Sequence, residues 1–172
     1  MQEPIPVYGQ GFFIVDPGSI AYIIVFDYYD PDRYYVGLAR SGRVEDEERV
    51  LAENMQSLMD EERVIINGED IRPQVLWAKV EIRGSPKRPS ITFFTLMKYK
   101  PRPGANVYEN IYDETSAEYD YTVYWIPGRC TRITSIDSPG YVEIQEHLAI
   151  VRVPQGTRIP GYESVSFTHT CI

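Results

Sequence analysis

Residues 75–83 read VLWAKVEIR. At a period of two, Leu76, Ala78, Val80 and Ile82 share one face and Trp77, Lys79, Glu81 and Arg83 the other. That is the pattern of a strand with one buried and one wet face. The loop Gly84 to Pro89 turns the chain into SITFFTLMKYK, residues 90–100, whose nearly continuous apolar run predicts an interior strand paired with the first. Upstream, Val64 to Ile66 precede Asn67-Gly68, a strong turn signal, so the stretch before VLWAKVEIR is extended as well.

The same signals recur along the chain. Gly11 to Val15 and Ile20 to Asp27 flank Asp16-Pro17-Gly18-Ser19, whose proline and glycine have the chemistry of a hairpin turn. A second turn, Tyr28 to Arg33, leads into Tyr34 to Ala39. Further strands are expected near Tyr119 to Ile126, Thr131 to Ile136, Tyr141 to Val153 and Ser164 to Thr168, separated by Pro127-Gly128, Ser138-Pro139-Gly140 and Pro160-Gly161. The break at Lys100 to Asn106, KPRPGAN, reads as a long connection between sheets.

One segment has a different period. Between Glu45 and Glu62, Val50, Leu51, Met55, Leu58 and Met59 recur at helical spacing, and Glu45, Asp46, Glu47 and Glu48 occupy the first turn, where carboxylates favour the helix dipole. The one-sided stripe predicts a helix lying across a sheet. The expectation is a mainly β protein, a β-sandwich or open barrel of antiparallel strands with one amphipathic helix, about 45–62, packed on it. At 172 residues the chain suits a single strand-rich domain, 1–172, with a possible subdivision near 100–106.

Composition narrows the function classes. The chain is 43% hydrophobic and 24% charged, as ordinary globular proteins are. A formal net charge of -8 argues against a nucleic-acid partner, since phosphate binding is driven by Lys and Arg displacing counterions. No apolar run approaches the roughly 20 residues that cross a bilayer, and MQEPIPVYGQGFF lacks a basic region followed by an apolar core. The expectation is a cytoplasmic protein away from membranes. Cys130 and Cys171 then read as free thiols in a reducing compartment, with a single disulfide as the alternative. Arg outnumbers Lys by thirteen to four, a composition compatible with a thermophile.

Candidate sites follow from residue chemistry. The stretch at 108–126, YENIYDETSAEYDYTVYWI, sets five tyrosines and a tryptophan among five carboxylates. On its strand, Tyr119, Tyr121, Val123 and Trp125 share a face, expected to be core. Tyrosine and tryptophan faces with nearby carboxylates also suit a sugar or peptide. The candidate ligand-binding residues are Tyr108, Tyr112, Asp113 and Glu114 in an expected loop, with Trp77 and Trp125. Asp27, Asp30 and Asp32 within FDYYDPDRYY offer oxygen ligands for a calcium-like cation, without the twelve-residue calcium-loop pattern; a solvated turn is the simpler account. No cofactor is expected.

Catalytic signatures are weak. His147 and His169 have no nucleophile elbow or cysteine signature near them, and Cys130, His147, His169 and Cys171 lack zinc-ligand spacing. Neither GxGxxG nor GxxxxGK occurs. The resulting expectation is a protein without catalysis that acts through its surface, self-associating or binding another protein, since Tyr, Trp and Arg favour interfaces. The alternative is a carbohydrate-binding module or a glycan hydrolase using two carboxylates.

Overall fold

The computed structural model describes residues 2–172, and the chain is mostly β. In chain order the elements are β1 (Ile5–Asp16), β2 (Ser19–Tyr29), α1 (Tyr34–Arg40), α2 (Val44–Glu61), β3 (Arg63–Ile66), β4 (Glu69–Ile71), β5 (Gln74–Ile82) and β6 (Pro89–Lys98). Then follow β7 (Gly104–Ile111), β8 (Thr115–Ser116), β9 (Asp120–Pro127), β10 (Thr131–Asp137), β11 (Tyr141–Ile144), β12 (Ala149–Val153), β13 (Arg158–Ile159) and β14 (Tyr162–His169).

Seven strands form one sheet in the order β11-β12-β9-β1-β2-β6-β5, and five form a second in the order β10-β14-β7-β3-β4. The expected hairpins β1/β2 and β5/β6 are present, and β6 is interior. The sheets pack face to face through Phe13, Val15, Ile20 and Trp125 of the first and Ile66, Tyr108, Val165 and Phe167 of the second. Further along the same face of the first sheet, Ile24, Ala78, Ile91 and Phe93 are covered by the helices through Tyr35, Leu38 and Met59. One sheet face therefore has two coverings, the second sheet and the helix pair.

Several expectations are corrected. The strands are not all antiparallel: β1 runs parallel to β9, with Phe13 opposite Trp125. Residues 34–40 form a second helix, because both carboxylate oxygens of the fully buried Asp30 accept the N–H groups of Tyr34 (2.9 Å) and Tyr35 (3.1 Å) and start its first turn. Asn67-Gly68 turns β3 into the short β4, so β3 and β5 belong to different sheets. Residues 141–153 fold back as the hairpin β11/β12.

The break at Lys100 carries the chain from β6 in the first sheet to β7 in the second, as a connection between sheets should. It ends earlier than expected, since Gly104 to Asn106 already belong to β7. The buried Asn106 amide donates to the carbonyls of Arg102 and Gly104 (both 2.9 Å) and accepts from the Arg102 N–H (2.9 Å), fixing the crossing.

Side-chain facing departs from the expected pattern on β5 and on α2. A bulge between Val75 and Trp77 in the β5/β6 pairing turns Leu76 out to solvent, while Ala78 and Val80 stay buried and Ile82 emerges at the strand end. On α2, Leu51 and Met55 pack inward but Val50 and Leu58 are exposed.

Cys130 and Cys171 are joined in a disulfide, with Cα atoms 5.6 Å apart, where free thiols were expected. The antiparallel β10/β14 pairing sets Thr131 opposite His169, which brings the residues flanking that pair together. Beneath it lies the buried His169: its Nε2 donates to the Tyr99 hydroxyl (2.7 Å), which itself donates to the Asp16 carbonyl (2.8 Å), and its Nδ1 accepts from Thr131 Oγ1 (3.0 Å). No helix among the described residues is long and apolar enough to cross a membrane.

Candidate functional site

Where the first sheet, the second sheet and the C-terminal end of α2 meet, a cavity of about 700 Å³ remains. Its floor is β1. Phe13, Gly11 and Gly9 alternate with outward residues there, and the two glycines let the rings of Tyr22 and Tyr119 pack close against the floor. A Cβ at Gly11 would come 3.0 Å from the Tyr22 ring, and one at Gly9 3.3 Å from Tyr119. Gly9 lies between Phe26 of β2 and Tyr121 of β9, and Gly11 between Ile24 and Val123.

Aromatic rings wall the space. Phe13 stacks between Tyr22 (centroids 3.8 Å apart) and Trp125 (4.0 Å), a ladder across three strands, and Tyr108 of the second sheet meets Trp125 edge-on at 5.2 Å. Tyr112, Tyr119 and Tyr121 continue the wall. Burial, together with the nearby Glu163 charge, holds the hydroxyls of Tyr22, Tyr108, Tyr112 and Tyr121 above the ordinary tyrosine range, so they stay neutral at physiological pH.

The polar end of the cavity comes from a single row of the second sheet, where Val64, Asn110 and Glu163 are cross-strand neighbours on β3, β7 and β14. Glu62, one residue before β3, turns its carboxylate in to accept from Asn110 Nδ2 at 2.9 Å. Asn110 is 8% exposed, and its other amide atom, Oδ1, is buried with no hydrogen-bond partner. Burial first, and then the neighbouring Glu62, push the Glu163 carboxyl up to about 7, against a hydrogen bond from Ser138. Glu62 is raised as well by burial, which outweighs its bond to Asn110.

Four of the six ligand-binding candidates, Tyr108, Tyr112, Asp113 and Trp125, line this one cavity. Tyr112 and Asp113 do so from the loop between β7 and β8 and Trp125 from its strand, as expected. Tyr108 belongs to strand β7 and is 3% exposed, where a loop was expected, because its face of β7 packs between the sheets. Trp125 is also 3% exposed and forms wall and core together. Glu114 stays outside and pairs with Arg158 at 2.7 Å. Trp77, 56% exposed, stands on the opposite face of the first sheet beside Phe94 and Lys79.

The three aspartates do not converge. Asp30 spends both oxygens on the start of α1, Asp32 accepts the Gln2 N–H, and Asp27 lies on β2. No group of three or more His, Cys, Asp or Glu among the described residues is placed to hold a metal ion.

Gly9, Gly11, Tyr22, Glu62, Asn110 and Glu163 were missed as site residues. One signal for them is local: in YGQGF, residues 8–12, glycines replace side chains on one face of an otherwise aromatic strand.

No family model matches the chain, and no curated protein matches it. Solved structures similar to it include yeast LTA4 hydrolase in complex with bestatin, at 9% identity and a TM-score of 0.37, covering 94% of this chain and 28% of that one. Native leukotriene A4 hydrolase from Saccharomyces cerevisiae is similar at 7% identity and 0.43, over 95% and 29%. An aminopeptidase N family protein from Idiomarina loihiensis follows at 6% and 0.39, over 92% and 29%. The chain spans under a third of the length of each of these three. Likenesses at this level carry no argument about what the chain does.

Proposed function

We propose that the protein is a binding protein that encloses a small organic molecule between its two sheets. The observation that carries this reading is the aromatic-walled cavity of about 700 Å³, with Gly9 and Gly11 in its floor. Ligand sites are typically concave, largely apolar and furnished with a few convergent polar groups, and Asn110 and Glu163, with the adjoining Glu62, supply those. The carbohydrate reading remains one way of filling such a space, by stacking on tyrosine with carboxylates accepting from hydroxyls.

The test uses a tryptophan reporter. The chain has two tryptophans, so Trp77→Phe leaves Trp125, in the cavity wall, as the sole one. In that background the neutral probe N-phenyl-1-naphthylamine is expected to bind one-to-one and quench Trp125. Gly11→Leu, which places a side chain against Tyr22, is expected to weaken binding by about tenfold or more and to cost about 1–3 kcal/mol of stability through overpacking. Unchanged affinity in Gly11→Leu, or no binding to the parent, would overturn the reading.

A second reading, self-association through the surface, is favoured by β11. It is an edge strand of the first sheet with all four residues exposed, Tyr141 at 73%. An exposed edge is a template for a further strand. Solution mass against concentration tests it.

A further inference from the structure

We propose that the ligand of this cavity is an organic cation, an ammonium group on an apolar body, held against the tyrosine faces with Glu163 and Glu62 as its counter-charge. The proposal rests on the reading of the cavity as a binding site and names the chemical class bound there.

The charge lining the cavity is of one sign. Glu61, Glu62, Asp113, Glu118, Asp137 and Glu163 contribute to it, and no Lys, Arg or His does, although the chain carries 17 Lys and Arg residues. Glu61, Glu62, Asp113, Glu118 and Asp137 are exposed and Glu163 is half-buried. Glu163 lies near enough to Glu62 for the two charges to repel, and a neutral or anionic guest does nothing to offset that repulsion. A cation offsets it at once. The molecule's net charge of -8 steers cationic guests toward it.

The remaining walls fit such a guest independently of the carboxylates. Tyrosine faces attract cations through the ring quadrupole, most strongly where water is excluded, and Tyr22, Tyr108, Tyr112 and Tyr121 all lie close enough to Glu163 for its charge to bear on their hydroxyls. Asn110 Oδ1 is an acceptor without a donor, more than nine-tenths buried and on the cavity face of β7. A buried orphan acceptor costs free energy until a donor reaches it. The C–H groups of a quaternary ammonium or the N–H groups of an amine both serve.

Binding is then linked to protons. Around Glu163 stand Glu62 from the end of α2, Tyr22 from β2, Tyr108 and Asn110 from β7, Tyr112 beyond it, Tyr121 from β9, and Asp137 and Ser138 at the end of β10. None of these is a cation. With the Glu163 carboxyl at about 7, a cation binds its ionised form best, so affinity rises as pH rises through neutrality.

The experiment compares benzyltrimethylammonium with its neutral carbon isostere, neopentylbenzene, by Trp125 fluorescence in the Trp77→Phe background, at about pH 5.5 and about pH 8.5. At the higher pH the cation is expected to bind about tenfold tighter than the isostere, and at the lower pH to lose about tenfold, while the isostere binds alike at both. Glu163→Gln is expected to abolish the pH dependence. Equal binding of the two compounds, or a cation affinity unmoved by pH and by Glu163→Gln, overturns the cation inference and leaves the cavity reading standing. Binding of neither compound overturns both.

Discussion

Glu163 shows how a single side chain gains its chemistry from its sheet. It shares the inward face of β14 with Val165 and Phe167, a position that ordinarily takes an apolar residue. Its unfolded carboxyl titrates near about 4.3, and the folded one near 7. The native state therefore keeps a proton that the unfolded chain has released. The resulting contribution to stability is complete below about pH 4.3 and is lost as pH rises to about 7. His169 acts in the opposite sense. Burial lowers its pKa, against the pull of Asp16, so its contribution is present above about 6.5 and is lost as pH falls below that. Glu163→Gln keeps the neutral shape and removes the first effect, so its melting temperature should exceed the parent's at about pH 8 and match it near about pH 4.5. Parallel melting curves across that range would show that the carboxyl is not shifted. The expected strand Ser164 to Thr168 stops one residue short of Glu163, which is why a carboxylate on an apolar face escaped notice.

At the scale of elements, what was legible was periodicity, and what was hidden was which partner each polar face would meet. The helix at 45–62 could be read because its apolar spacing and its acidic first turn agree. Glu48 looked like one of four solvated first-turn carboxylates. It is 5% exposed, its Oε1 accepting the Val80 N–H at 2.9 Å and pairing with Lys79 at 3.2 Å. One turn pair further on, Gln56 accepts from the Val75 N–H (2.8 Å) and donates to the Pro73 carbonyl (3.0 Å). β5 is the edge of the seven-stranded sheet, and α2 occupies the backbone groups that the edge leaves open. Glu48→Ala should cost about 1–3 kcal/mol in chemical denaturation, since it strands a buried donor, whereas Glu48→Gln, which keeps an acceptor, should lose less. The exposed Glu45→Ala serves as the comparison and should change little. Equal losses at 45 and 48 would mean that the bond to Val80 contributes nothing. The same contrast applies to Asp30, which reads as a loop ligand and serves as the start of a helix.

For the whole molecule, pairing over long separations decides what short windows cannot. The parallel pairing of β1 with β9 sets Phe13 beside Trp125, and the β10/β14 ladder closes the Cys130–Cys171 disulfide across 41 residues. The cavity exists only once these pairings, β3/β7 and the end of α2 are all in place, so its lining residues carry little signal individually. Sheet order also leaves β11 at an open end. Antiparallel pairing of β11 with β11 of a second copy would extend the sheet through Tyr141, Val142 and Ile144, all exposed. Four residues set a limit on its strength, because stable interfaces bury about 1,000 Å² or more, and one short strand per copy contributes only part of that. Weak association is thus expected, with a light-scattering mass that climbs from monomer as concentration rises through about the micromolar range and beyond. Val142→Lys, which puts a charge on the open edge, should return the mass to monomer without loss of stability. A parent that stays monomeric at every concentration would retire self-association and leave the cavity as the site through which this fold meets its partner.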